Sequence, residues 1–433
     1  MDSKERIVVI GAGFGGLNFV KNIDKKKYHV ILVDRNNYHS FPPLFYQVAS
    51  SGLEPGSITF ALRREMRSRR VKGCEYHMGE VCRIDTVKKT VVTQRETIPY
   101  DKVVLAAGTT NNFFGIPGLE NKVFTMKSTG EAIRLRNRVI ERMERASACS
   151  DRELRRRMLT FAVIGGGPTG VEIAGALGEM KRYIAPREYP EFDASEISVR
   201  LIEGSDRLLR TMSRRSSDDA LRQLEHLMVD VALNTQMKDY EGGVLSFSDG
   251  TTLETDTVIW TAGVTAEPFD IVGFTPEYGP GGRLTVDEFN RVKGADSFFA
   301  IGDICYCASE RFPRGCPQLA QPAIQQGRCL AKNLNRGSFH RPFEYSDKGS
   351  MATIGRNRAV ADIGKIHFSG YFAWLTWMIV HLMSLLGMRN RLVVLVNWIW
   401  NYWTYSAALR VLLRPANLPL RSHLPDSDKT NDQ

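Results

Sequence analysis

Two glycine-rich turns of one design, Gly11-Ala12-Gly13-Phe14-Gly15-Gly16 and Gly165-Gly166-Gly167-Pro168-Thr169-Gly170, occur in the same chain. Each follows an apolar run and opens a helical stretch. Glycine lets the backbone turn tightly there, and the free N–H groups at the helix start then face a pyrophosphate. One dinucleotide needs one such loop, so the chain is built to hold two. In the first copy, residues 6–10 read as the feeding strand, and a second strand, 30–33, ends in Asp34, placed to accept hydrogen bonds from a ribose. In the second, residues 159–164 feed the loop, a helix runs from Val171, and the strand 199–202 ends in Glu203. That acid arrives late, which places a proline-containing insertion around residues 182–196. A lone glycine loop is weak evidence, but strand, loop, helix and acidic strand end recurring together are not. Candidate nucleotide contacts are therefore Gly11, Gly13, Gly16 and Asp34, and Gly165, Gly167, Gly170 and Glu203. Two nucleotides on one protein imply electrons passing between them.

The 433 residues suffice for two substantial cores and a smaller appendage. With 58 basic against 48 acidic side chains, the net charge of +10 favours anionic surfaces, whether nucleic acid or phospholipid headgroups. The densest basic run, Arg63, Arg64, Arg67, Arg69, Arg70 and Lys72, has helical spacing and no interleaved aromatics. It reads as a solvated helix face, and no nucleic-acid partner is expected. Seven cysteines, an odd number without any Cys-x-x-Cys pair, point to a reducing compartment and free thiols. Cys305 and Cys307 read as small buried hydrophobes rather than a metal fragment. The N-terminus passes into a strand without a secretory signal, so the body is expected to face the cytoplasm.

A strand at 102–105 runs into Ala106-Ala107-Gly108, and one at 257–261 runs into Ala262-Gly263. Both halves therefore repeat one architecture: α/β, with two Rossmann-like dinucleotide-binding domains. A charged helix is expected over 130–157, another over 216–228, and a hairpin over 244–253. The late strand 297–301 belongs in the first sheet. That makes the first domain discontinuous, 1–115 and 280–340, with the second domain at 116–279 and a C-terminal region at 341–433. Asp303, at the end of that strand, can bond a sugar or ribityl hydroxyl, cap a helix, or do both. Residues 318–334 form a helix candidate that starts with uncharged amides. From Tyr371 to Gly387 the chain carries no Asp, Glu, Lys or Arg, then turns at Met388-Arg389-Asn390-Arg391 and resumes as an apolar, aromatic run. The first run falls short of the roughly 20 apolar residues a spanning helix needs. Trp374, Trp377, Trp398, Trp400, Trp403, Tyr402 and Tyr405 supply interfacial rings, and Arg389, Arg391, Arg410 and Arg414 supply cations. The pattern predicts two amphipathic helices lying in one leaflet, with a buried dimer interface or a transmembrane hairpin as the competing readings.

Together the two glycine loops, the stretch Phe41-Pro-Pro-Leu-Phe-Tyr-Gln-Val-Ala49, the strand end Phe299-Ala-Ile-Gly-Asp303, the segment Ala320-Gln-Pro-Ala-Ile-Gln325 and the aromatic tail resemble the type II NADH dehydrogenases. These are single-subunit, non-proton-pumping flavoenzymes with glutathione-reductase-like domains. The resemblance covers essentially the whole chain, and the glutamine segment and the tail are its most discriminating parts. It implies non-covalent FAD on Gly11, Gly13, Gly16 and Asp34, with Gly108 and Asp303 near the flavin. NADH is then implied on Gly165, Gly167, Gly170 and Glu203, with Gly263 after the matching strand. A carboxylate at Glu203 accepts from a 2′-hydroxyl and repels a 2′-phosphate, favouring NADH, although Arg207 works against this. Glu172 is implied near nicotinamide and flavin, to orient NADH or move a proton; its alternative is a first-turn acid at a positive helix end. Gln321 and Gln325 are implied as amides that bond a quinone, ubiquinone or menaquinone; their alternative is a polar helix face. The further implications are a peripheral enzyme on the cytoplasmic side of the inner membrane, bound to lipid, commonly a homodimer, and without a metal.

Other readings fit less well. A dithiol flavin reductase needs paired cysteines near the first helix, and residues 17–33 hold none. A sulfide:quinone reductase needs cysteines flanking the flavin, for which only Cys149 and Cys329 offer, and gives the second glycine loop no purpose. An NADH-sensing protein without catalysis would need neither the glutamines nor the tail.

Overall fold

Parallel strands require crossovers, and the alternation of apolar runs with amphipathic stretches supplies them twice. The computed structural model describes residues 4–404 and 410–412. Strands β1 (Glu5–Ile10), β2 (Tyr28–Asp34), β3 (Cys74–Met78) and β4 (Lys102–Leu105) form the first sheet, and β5 (Thr160–Ile164), β6 (Ser198–Ile202), β7 (Val229–Ala232) and β8 (Thr257–Trp260) the second. A late strand, β9 (Phe298–Ala300), returns to the first sheet beside β4. The orders are β9-β4-β1-β2-β3 and β7-β6-β5-β8, with every neighbour parallel. In each sheet the strand that feeds the glycine loop lies where the order reverses. Both loops therefore open into the crevice beyond the strand ends.

The principal helices of these halves are α1 (Phe14–Asn22), α2 (Thr129–Ser147), α3 (Pro168–Glu179), α4 (Arg214–His226) and α5 (Ala320–Arg336). The helix expected over 130–157 is broken in two, because Ser128 caps α2 by accepting from Glu131 N (3.2 Å) while Asp151 caps a second helix, Arg152–Met158. The basic run also departs from expectation. Only Leu62–Glu65 is helical; the chain then turns so that Val71 enters the core, and Arg63 and Arg64 lie over the rings of Tyr76 and Phe60 at 5.3 and 5.8 Å. The insertion before β6 contains a π-helical turn, Met180–Ile184, directly after α3.

An antiparallel sheet, β10 (Ser350–Thr353), β11 (Ala359–Ile363) and β12 (Ile366–Gly370), then leads into α6 (Tyr371–Ser384) and α7 (Met388–Thr404). This sheet packs close on α3: a Cβ at Gly175 would come within 3.0 Å of Gly355 N. The two terminal helices have two faces. Inward, Trp377, Leu385, Val394 and Trp398 join the largest hydrophobic core, with Trp377 fully buried. Polar side chains of α7 bond the stretch of the first domain between β2 and β3: Trp398 Nε1 donates to Gln47 Oε1 (2.7 Å), Asn401 to Gly52 O (2.9 Å) and Asn390 to Thr59 O (2.8 Å). Outward, Phe372, Leu375, Ile379, Val380 and Met383 on α6, and Leu392, Val396, Ile399, Trp400 and Trp403 on α7, are exposed. That is an unpartnered apolar stripe at helical spacing.

Three details of the tail correct the expectation. The turn lies at residues 385–387, with Gly387 at φ +79, and Met388 already begins α7. Arg391 folds back to donate to Leu385 O (2.9 Å) and Met383 O (2.7 Å), and Arg410 pairs with Glu188, so these two cations are spent inside the protein. Trp377 and Trp398 face the core rather than the surface. Tyr405 and Arg414 lie outside the described residues. Among those described, no helix is long and apolar enough to cross a membrane.

Candidate active site

The two glycine loops match at the level of single atoms. Gly11 and Gly165 take φ of +100 and +108, and a Cβ on either would press to 2.5 Å from Ala106 O or 2.6 Å from Ala262 Cα. On Gly16 a Cβ would overlap the Gly11 carbonyl, and on Gly170 the Gly165 carbonyl. A Cβ on Gly13 or Gly167, by contrast, meets nothing within 4 Å. The outer glycines thus allow the turn and the helix–strand contact, while the middle one leaves open the space where a pyrophosphate passes. The acids at the strand ends tie down these same loops. Ala12 N donates to Asp34 Oδ2 and Asn36 N to Oδ1, both at 2.7 Å; Gly166 N donates to Glu203 Oε2 (2.5 Å) and Ser205 N to Oε1 (2.7 Å). A carboxylate has about four lone-pair sites, so each keeps capacity for a ribose. Burial raises Asp34 above the ordinary carboxylate range, against the pull of the Ala12 and Asn36 N–H groups.

Asp303 follows β9 after Gly302, which takes φ +77. Its carboxylate caps no helix, and burial pushes it up to about 6, with Lys127 and Arg283 pulling the other way. Gly108, at φ +77, has open space where a Cβ would stand, whereas Gly263 is covered by the Phe114 ring at 2.7 Å from such a Cβ. An open middle glycine, a strand-end acid with spare lone pairs and a half-buried Asp303 at the same end of the parallel sheet are what an adenine dinucleotide carrying a ribityl chain requires. The first cradle fits FAD.

Glu172 lies on α3, just past the second loop, and is buried rather than placed at the exposed helix end. Burial pushes its carboxyl up to about 8, with a long bond from Thr353 N (3.5 Å) opposing. Around it runs a chain of contacts: Thr353 Oγ1 meets Tyr46 Oη (2.8 Å), Gln47 Nε2 donates to Tyr46 Oη (2.9 Å), and Trp398 of α7 holds the other end of that amide. The two glutamines of α5 part company. Gln321 is half-buried and makes no side-chain hydrogen bond among the described residues. Gln325 spends both ends of its amide on Ser346, donating to the carbonyl (2.9 Å) and accepting from the N–H (3.0 Å), so it tethers the C-terminal region to α5. Helix α5 itself lies hard against the first loop, since a Cβ on Gly327 would overlap the Gly15 carbonyl.

Known proteins agree with this geometry. Residues 5–327 match the family model for pyridine nucleotide-disulphide oxidoreductases, and residues 348–404 match that for the NDH2 C-terminal domain. Two type II NADH:quinone oxidoreductases of Mycobacterium tuberculosis, NdhA and Ndh, are 36% and 33% identical, over 91% of this chain and 86% and 87% of their own lengths. The chain belongs to the type II NADH:quinone oxidoreductase family. A structure of NDH2 from Plasmodium falciparum in complex with NADH superposes with a TM-score of 0.87 at 23% identity, covering 95% of this chain and all of that one. The sulfide:quinone oxidoreductase of Aquifex aeolicus shares the fold at a TM-score of 0.70 and 16% identity, over 93% of this chain and 96% of its own.

Several residues of this type II NADH:quinone oxidoreductase escaped the sequence reading. Gln326, beside the expected Gln325, is buried; its Oε1 accepts from Gly302 N (2.7 Å) and sets the turn that presents Asp303. His39 donates from Nδ1 to Ala12 O (2.8 Å), and burial holds it down near 4, so it stays neutral while fixing the first loop. Thr261 donates to the Gly165 and Ile164 carbonyls, the matching support in the second half. The polar type of these residues is visible in sequence, but their direction is not. All seven cysteines are free thiols, Cys305, Cys307 and Cys316 are buried, and no metal-binding cluster occurs among the described residues.

Proposed function

We propose that the protein oxidises NADH and delivers both electrons to a membrane quinone, with FAD on the first cradle and NADH on the second. Membership of the family makes it an FAD-dependent NADH:quinone oxidoreductase. FAD, when bound, supplies the two-electron carrier between donor and acceptor. The chain's own residues supply position and protons. Glu203 accepts from the 2′-hydroxyl of NADH and repels a 2′-phosphate. Glu172, held protonated by burial at neutral pH, steers the nicotinamide end and can release a proton within the crevice. Gln321 offers a quinone carbonyl an uncharged donor at the crevice floor, while Gln325 acts by tethering. The exposed faces of α6 and α7 rest on one leaflet of the inner membrane from the cytoplasmic side, which brings the quinone to the enzyme. Association as a homodimer is part of the same proposal, and sedimentation in detergent measures it.

The observation that carries this reading is the position of Glu172. It stands on the helix of the second cradle, yet it connects through Thr353 and Tyr46 to the stretch of the first domain between β2 and β3, beneath a helix with a bare apolar face. Replacing Gln321 by Leu tests the acceptor side. The visible absorbance should bleach with NADH at the wild-type rate while quinone reduction slows about tenfold, the worth of one lost hydrogen bond to a reacting group. Equal slowing of both half-reactions would refute the assignment.

A further inference from the structure

Away from both cradles, the end of α3, the end of α4 and the turn between β10 and β11 enclose a polar cavity of about 160 Å³, bordered by Glu179, Tyr183, His226, Arg356, Asn357 and Arg358. This is roughly ten times the 10–15 Å³ of such space that one water needs. The π-helical turn after α3 widens the helix here, and such turns recur at binding sites. Its walls are cationic. Arg356 and Arg358 come from the β-turn, and behind the lining Arg182 lies 5.6 Å over the Tyr183 ring and donates to His226 O. The one bordering carboxylate, Glu179, accepts from Arg356 N (2.5 Å); burial raises it above the ordinary range, with that N–H and the charges of Arg356 and Arg358 opposing. Exposed His226 is held below the ordinary imidazole range by Arg358 first, then by desolvation and Arg182, and Arg358 itself donates to Gln223 Oε1. Asn357, in left-handed backbone at φ +62, has a buried amide oxygen that meets no donor.

The cavity also adjoins the membrane-facing helices. Arg356 Nη1 donates to Tyr402 O (3.3 Å), and the next residue of α7, Trp403, is 79% exposed. We propose that this cavity takes the headgroup of an anionic phospholipid, with its phosphodiester between Arg356 and Arg358 and a headgroup hydroxyl on the Asn357 amide. Guanidinium forks match phosphate oxygens, and a hydroxyl is the donor that the orphaned amide oxygen lacks. The proposal rests on α6 and α7 lying on the bilayer, and it adds a lipid-selective contact to a docking that apolar surface alone would leave indifferent to charge.

Flotation of the full-length holoprotein with phosphatidylcholine vesicles, with and without phosphatidylglycerol, tests it. Wild type should prefer the phosphatidylglycerol vesicles, and Arg358→Gln and His226→Glu should each lower that preference about tenfold while leaving binding to phosphatidylcholine alone intact. The control variant R69Q/R70Q, which removes two exposed charges elsewhere, should keep the preference. Wild-type flavin absorbance in both cavity variants shows that they fold. An unchanged preference in R358Q and H226E, or equal loss in the control, overturns the site. Stabilisation of wild type by inorganic phosphate without any phosphatidylglycerol preference overturns the lipid as occupant. Wild type that floats with neither vesicle overturns the membrane docking itself, which separates the two failures.

Discussion

A single methyl group distinguishes the three glycines of each loop. On Gly170 it would overlap the Gly165 carbonyl, whereas on Gly167 it would enter open space. Gly170→Ala should therefore abolish NADH binding together with the fold of the second domain. Gly167→Ala, at an ordinary φ of −72, should melt like wild type while raising the KM for NADH, and thermal melts beside steady-state kinetics read the two apart. Glu172 gives a pH prediction. Burial lifts its carboxyl to about 8, so the stability of the neutral acid is complete below the ordinary carboxylate range and is lost as pH rises through about 8. Glu172→Gln keeps the neutral shape, so the wild type should lose stability relative to this variant across that window, and paired denaturant titrations along the pH axis would expose a flat difference. At this scale the sequence was informative about residue identity. The glycines and the strand-end acids stand where spacing put them, but that Asp34 and Glu203 also clamp the loops, and that Gln325 is a tether, depends on bonds to Asn36, Ser205 and Ser346 that spacing does not encode.

Helices α6 and α7 are legible as amphipathic, and less so in which ring faces where. A run such as Trp374, Trp377, Trp398, Trp400 and Trp403 carries one hydropathy signal for two destinations, because tryptophan suits both a core and an interface. The turn was misplaced for a related reason: Arg391 reads as a surface cation until the final carbonyls of α6 exist to receive it. The consequence is a division of labour that substitutions can separate. Trp377→Ala should cost about 3–5 kcal/mol of stability by opening a core cavity. Ile379→Asp with Trp403→Ser should leave the melting temperature near that of wild type and move the protein from the vesicle fraction to the supernatant. Cutting the chain before α6 would not make this separation, since it would also strip Trp377, Val394 and Trp398 from the core of the second half. Retained vesicle binding in the double variant would sink the membrane face.

Across the whole molecule, the C-terminal sheet works as a clasp on the second domain. Asp362 of β11 accepts from Ser213 N (2.6 Å), Ser213 Oγ (3.0 Å) and Ser216 Oγ (2.9 Å) at the start of α4, and meets His367 Nδ1 (3.1 Å), whose other nitrogen reaches Asp219 (3.2 Å). Burial raises the Asp362 carboxyl, but these hydrogen bonds outweigh it and hold it below the ordinary range, so the clasp is complete above that range and fails as pH falls through the lowered value. Asp362→Ala should lose about 1–3 kcal/mol at neutral pH and converge with wild type in strong acid, as melts at both pH values would record. The duplicated halves follow from the sequence because they rest on local repeats, and β9 is legible as an apolar run ending in Gly302-Asp303 although its partner β4 is remote. The clasp does not, because its partners stand far apart in the chain and no periodicity links them. The grip of α7 on the first half is equally long-range, and Trp398, Asn401 and Asn390 all take hold between Gln47 and Thr59. Because that grip includes Gln47, whose amide also holds the Tyr46 hydroxyl against Thr353 beside Glu172, any displacement of α7 has only a short relay of side chains to cross before it reaches the buried acid.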